Sequence, residues 1–213
     1  MRFALTRLGA AAAVAVLTGC SGADAPKRPE GLPPAEVCGG FAKGTPAGAA
    51  LVAAMGSDRF TDGLSEPEKA LALLRDATAA PLADTYRPQP KSYCTLLPVS
   101  GGGDSLTVNV NPIGKAPGMH PGLLSKATLY TSGRLAYASA GLGRLYFSCG
   151  LEEPAHGFVV EVAVSGPGGV PDADLRQRTR LITVANAAAR SVAGELGCAD
   201  TGLVDGAPAE ARS

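Results

Sequence analysis

The chain has 213 residues, its 19 basic side chains balance 19 acidic ones, and 46% of it is apolar. That balance leaves no basic field to neutralise a phosphate backbone, so nucleic acid is not expected as a partner. The first twenty residues, MRFALTRLGAAAAVAVLTGC, set Arg2 and Arg7 ahead of an apolar run, Leu8–Thr18, that ends in small residues. This order reads as a secretory signal peptide over residues 1–19. The run is too short to span a bilayer, which takes about 20 apolar residues at about 1.5 Å of helix rise each. Arg2 and Arg7 are not adjacent, so the twin-arginine route is not expected.

Leu17-Thr18-Gly19-Cys20 resembles the lipobox of bacterial lipoproteins. The resemblance implies that the chain is cut before Cys20 and that its thiol is joined to diacylglycerol. Palmitate-type acyl chains would then hold the protein on the outer face of the cytoplasmic membrane. Each buried CH₂ contributes about 0.8 kcal/mol, and two chains suffice for stable anchoring. The processed chain keeps 194 residues with 17 basic and 19 acidic side chains, a net charge of −2. Residues 20–34, ending in SGADAPKRPEGLPP, lack an apolar period and read as the lipidated tether. Residues 199–213 have the same character and read as a disordered tail. One domain over residues 35–198 is expected between them.

With Cys20 acylated, Cys38, Cys94, Cys149 and Cys198 remain, an even number in an oxidising compartment. Four cysteines allow three pairings, of which Cys38–Cys94 with Cys149–Cys198 is preferred. Zinc ligands usually come as C-x₂₋₄-C pairs. These cysteines stand about 50 residues apart, so no metal and no cofactor is expected.

Thr45-Pro46 opens a helical stretch that Gly56 can close. Ser65-Glu66-Pro67-Glu68 has the capping-box pattern and starts a second helix carrying Leu71, Leu74 and Thr78, which stops near Pro81. Then strands begin. YCTLLPV leads through Gly101–Gly103 into DSLTVNVN, with Leu106, Val108 and Val110 on one face and Thr107, Asn109 and Asn111 on a wet one. RLYFSC and FVVEVAVS flank LEEPAHG as an antiparallel hairpin, grouping Leu145, Phe147 and Cys149 with Phe158, Val160, Val162 and Val164. The longest helix comes last, capped by Asp172 or Asp174 and stopped at Gly197. Its stripe is Leu181, Val184, Ala185, Ala188, Val192 and Leu196. Cys149 would point inward from a strand and Cys198 would follow the helix covering it, which is why that pairing is preferred. The expected fold is α+β: an antiparallel sheet with helices packed on one face, two of them N-terminal and one long and C-terminal.

The lipobox, the four spread cysteines, RLYFSC and VANAAARSVAGELGC resemble uncharacterised actinobacterial lipoproteins with sensor-like extracellular domains. The resemblance implies no catalytic activity. Neither do the motifs. No G-x-S-x-G elbow occurs, Tyr137-Ala138-Ser139-Ala140-Gly141 being the nearest serine context. His120 and His156 sit in loops without metal-ligand spacing, Glu152-Glu153 reads as a solvated turn, and the Gly101–Gly103 triplet lacks a P-loop lysine. What stands out is a cluster of Tyr130, Arg134, Tyr137, Arg144 and Tyr146. It is expected to form an outer polar-aromatic sheet face that binds an envelope protein or ligand. The expected function is therefore a lipid-anchored extracytoplasmic binding or interaction domain. A secreted envelope enzyme without a recognisable motif is the alternative.

Overall fold

The computed structural model describes residues 31–101 and 104–212. The expected signal peptide, Cys20 and the tether up to residue 30 lie outside the described residues. The described residues form an α+β fold around a seven-stranded antiparallel sheet. Its strands are β1 (Phe60–Thr61), β2 (Lys91–Pro98), β3 (Leu106–Ile113), β4 (Thr128–Tyr130), β5 (Leu135–Ala138), β6 (Leu142–Cys149) and β7 (Phe158–Ser165). The helices are α1 (Ala47–Met55), α2 (Pro67–Asp76), the one-turn α3 (Pro121–Leu124) and α4 (Leu175–Leu196). Among the described residues, no helix is long and apolar enough to cross a membrane.

The spatial order is β1-β2-β3-β7-β6-β5-β4. Two meanders, β1–β3 and β4–β7, therefore meet where β3 pairs with β7 through seven register positions, Thr107↔Ser165 to Ile113↔Val159. Period-2 alternation sends alternate side chains of each strand to opposite faces. Leu106, Val108, Val110, Leu145, Phe147, Val160, Val162 and Val164 share the main core with residues of α1, α2 and α4.

Helix α4 is capped at both ends by the means its sequence offers. The Asp174 carboxylate accepts from the Gln177 N–H at 3.0 Å, and Gly197 closes the helix at φ 71°. Its buried set is wider than one stripe, because Ile182, Thr183, Asn186, Ala187 and Ala189 are buried as well. The sheet takes one side of the helix, while α1 and residues 203–207 reach others. Close approach to the sheet depends on Gly143 of β6: a Cβ there would stand 3.0 Å from the Leu181 backbone.

Three expectations change. The capping box at Ser65 is not made, since helix α2 carries no side-chain cap. The Ser65 hydroxyl instead accepts from the Thr95 N–H at 2.8 Å, because β2 runs beside it. The tether ends earlier than residue 34: Leu32 and Phe60 exchange backbone hydrogen bonds of 2.8 and 3.0 Å. Nor do residues 199–212 form a disordered tail. Asn186 donates to the Val204 and Gly206 carbonyls at 2.9 Å each, and Ala209 and Ala211 pair with Thr131 and Leu129 at the edge of β4. A buried amide in mid-helix and an open strand edge together supply the partners that fix this segment.

Both preferred disulfides are present, Cys38–Cys94 and Cys149–Cys198, at sequence separations of 56 and 49. The first ties the N-terminal segment to β2. The second staples Cys198, two residues beyond α4, to the end of β6.

Candidate functional site

Across the sheet from the main core, β3, β7 and β6 place their other side chains in register. One row is Asn111, Glu161 and Tyr146; the next is Asn109, Ala163 and Arg144; the last is Thr107, Ser165 and Leu142. Glu161 interrupts the valines of β7, and its neighbours neutralise it. Arg144 Nη1 donates to Glu161 Oε1 at 2.8 Å, and the Tyr146 hydroxyl donates to the same oxygen at 2.9 Å. The Glu161 side chain is 13% exposed and that of Arg144 38%. Burial works against the Arg144 charge, but the Tyr146 hydrogen bond and the Glu161 carboxylate outweigh it and hold the guanidinium above its usual range. Burial pushes the Tyr146 phenol well above the ordinary tyrosine range. The Arg144 hydrogen bond opposes this shift and the Glu161 carboxylate adds to it.

Two loops close over this face. Residues 114–127 carry Ala116, Met119 and Ala127 onto a second small core of Ile113, Tyr137, Tyr146 and Val159. The segment before β2 lays Arg87, Pro88 and Pro90 against the polar rows. The loops cross at Gly114, where a Cβ would collide with the Ala83 carbonyl, so only glycine permits the crossing. Between the second loop and the sheet lies a cleft of about 320 Å³, bounded by Arg87, Pro88, Pro90, Leu142 and Ser165 and floored by Asn109, Asn111, Arg144, Glu161 and Ala163.

Two polar atoms of the cleft residues are buried without partners: Nε of Arg144 and Oδ1 of Asn111, whose residue is 4% exposed. An unmade hydrogen bond of this kind costs about 1–3 kcal/mol. Of four such atoms among the described residues, two share this cleft and two, on Gln177 and Arg178, lie in α4; an outside partner that supplies the missing hydrogen bonds gains from the pair in the cleft. The protein meets that cost at the junction of its two meanders, the best-braced part of the sheet.

The five residues of the expected binding face divide. Tyr130 lies in the main core with its hydroxyl on Thr179 at 3.2 Å, so it is not on the outer face; its short strand carries it inward. Tyr137 and Tyr146 are on the second face but buried, 6% and 1% exposed, with rings stacked at 6.4 Å under the covering loop. Arg134 is exposed and donates to Ser148 at 3.3 Å, away from the cleft. Arg144 alone of the five lines the cleft.

Sequence reading puts Asn109 and Asn111 on a wet strand face without assigning them to a site, whereas Asn111 is buried at 4% exposed; Glu161 and Arg87 it passes over. A lone glutamate inside FVVEVAVS was the available signal. His120 and His156 are exposed in loops and do not line the cleft; the His120 ring accepts from the Gly122 N–H at 3.2 Å. Glu152 and Glu153 are exposed in a turn. Among the described residues, no group of three His, Cys, Asp or Glu side chains is placed to hold a metal. Comparison with protein-family models, curated proteins and solved structures finds no match.

Proposed function

We propose that this protein is a lipid-anchored, extracytoplasmic binding domain of the bacterial cell envelope, akin to the actinobacterial lipoproteins it resembles, and that it is not an enzyme. The observation that carries the binding role is the cleft over β3, β7 and β6, with unpartnered polar atoms in its floor. Small-ligand sites are concave, mostly apolar and furnished with a few converging polar groups. The envelope setting is supported by the lipobox at Cys20 and by two long-range disulfides, which persist in oxidising compartments.

Catalysis draws no support from the same groups. Ser165 and Glu161 both line the cleft, but they are four residues apart along β7, roughly 13 Å at strand rise, beyond proton-transfer reach. Crosslinking in intact cells, with wild type and Arg144→Ala compared, tests the binding role. The wild type captures an envelope partner or ligand, and Arg144→Ala recovers less of it. Equal recovery removes the cleft from the interaction, and capture of nothing contradicts the binding reading.

A further inference from the structure

The Arg144 guanidinium offers two hydrogen-bonding edges, and the fold uses one. Nη1 is committed to Glu161 at 2.8 Å and approaches the Tyr146 hydroxyl at 3.5 Å. The opposite edge, formed by Nε and Nη2, contains a buried N–H without an acceptor. This edge is the side of an arginine that receives the two oxygens of a carboxylate in parallel. Glu161 holds one end of the guanidinium through Nη1, so part of its freedom is already lost before binding.

We propose that the cleft recognises a small ligand bearing a single carboxylate, taken by the free edge of Arg144, with Asn111 Oδ1 accepting a hydrogen bond from an N–H of the same ligand. This assignment rests on the binding reading above and deepens it. Three features set the ligand class. Arg87 on the wall, with Arg144 paired to Glu161 on the floor, leaves a balance of one positive charge that suits a monoanion. Pro88, Pro90, Leu142 and Ala163 give the walls an apolar character that suits a ligand with a hydrocarbon body rather than a bare ion. The volume of about 320 Å³ lies at the small end of ligand sites, enough for one acylated amino acid or the end of a longer chain. An N-acylated amino acid carries both a carboxylate, the acceptor Arg144 lacks, and an amide N–H, the donor Asn111 lacks.

The test is calorimetric titration of the full chain in detergent with N-acetylalanine, its neutral analogue N-acetylalaninamide, and inorganic phosphate. N-acetylalanine is expected to bind saturably, at least tenfold more tightly than either control. Arg144→Lys keeps the charge, loses the fork and should weaken binding about tenfold. Arg87→Gln, on an exposed wall residue whose loss leaves the core intact, should weaken it severalfold with an unchanged melting temperature. Absence of saturation, equal binding of the amide, phosphate binding as tight as the carboxylate, or indifference to both substitutions overturns the assignment. A partner captured from intact cells by a protein that ignores N-acetylalanine would sink the carboxylate and leave the binding role standing.

Discussion

A carboxylate on a central strand, flanked along the chain by valines, has to find cations or donors on the strands beside it. Glu161 finds Arg144 and Tyr146 on β6, and both converge on one oxygen. Glu161→Ala removes the acceptor from both and should cost about 1.5–3 kcal/mol in urea unfolding, the range for hydrogen bonds to a charged group. A cost below 0.5 kcal/mol would show that solvent replaces the carboxylate freely. Tyr146 gives a pH signature. Its folded-state phenol holds its proton above the ordinary tyrosine range. Below about pH 10 both states are protonated and its contribution is whole. Above that the unfolded chain ionises first, so stability falls as pH rises. Tyr93 and Tyr130 shift the same way, chiefly by burial, so Tyr146→Phe should flatten the alkaline decline without abolishing it. An unchanged slope between pH 9 and 11 would contradict the placement of the phenol. At this scale the sequence tells which face Arg144 takes, by alternation alone. It does not tell that the face is covered, because Tyr137 and Tyr146 meet loops that carry no periodic pattern.

Elements show the same division. Helix α4, the β6–β7 hairpin and the alternation in β3 are legible because each repeats its pattern long enough to decide between periods of 2.0 and 3.6. Ser65-Glu66-Pro67-Glu68 misleads, since a short cap motif competes with whatever strand passes nearby, and β2 takes the serine. The C-terminal segment misleads for a related reason: its order comes from Asn186 and the edge of β4, which lie elsewhere in the chain. That segment covers an edge strand that would otherwise present unpaired backbone groups. Truncation after Asp205 removes the residues paired with Leu129 and Thr131. The truncated chain should self-associate with rising concentration in light scattering, while the full chain stays unchanged. A truncated chain of constant mass would mean the edge needs no cover.

Over the whole molecule, two bridges of long span tie the terminal parts of the domain to the sheet. Loops of 56 and 49 residues each contribute about 4 kcal/mol on the chain-entropy model, a large share of the stability of a domain this size. Reductant should therefore lower the unfolding free energy by about that amount per bridge, and an unaltered denaturation midpoint would contradict a structural role. Element placement makes the second pairing legible, since strand and helix periodicity put Cys149 and Cys198 at adjoining ends. The site was half legible: Arg144 stood out, while its partners came from separate strands and a loop. The compartment ties these parts together, and intact-mass spectrometry of the native protein, fractionated without reductant, tests it most directly. We expect a membrane-bound chain that begins at Cys20, carries acyl mass and offers no thiol to alkylation. An unprocessed cytosolic chain with free Cys38, Cys94, Cys149 and Cys198 would contradict the account.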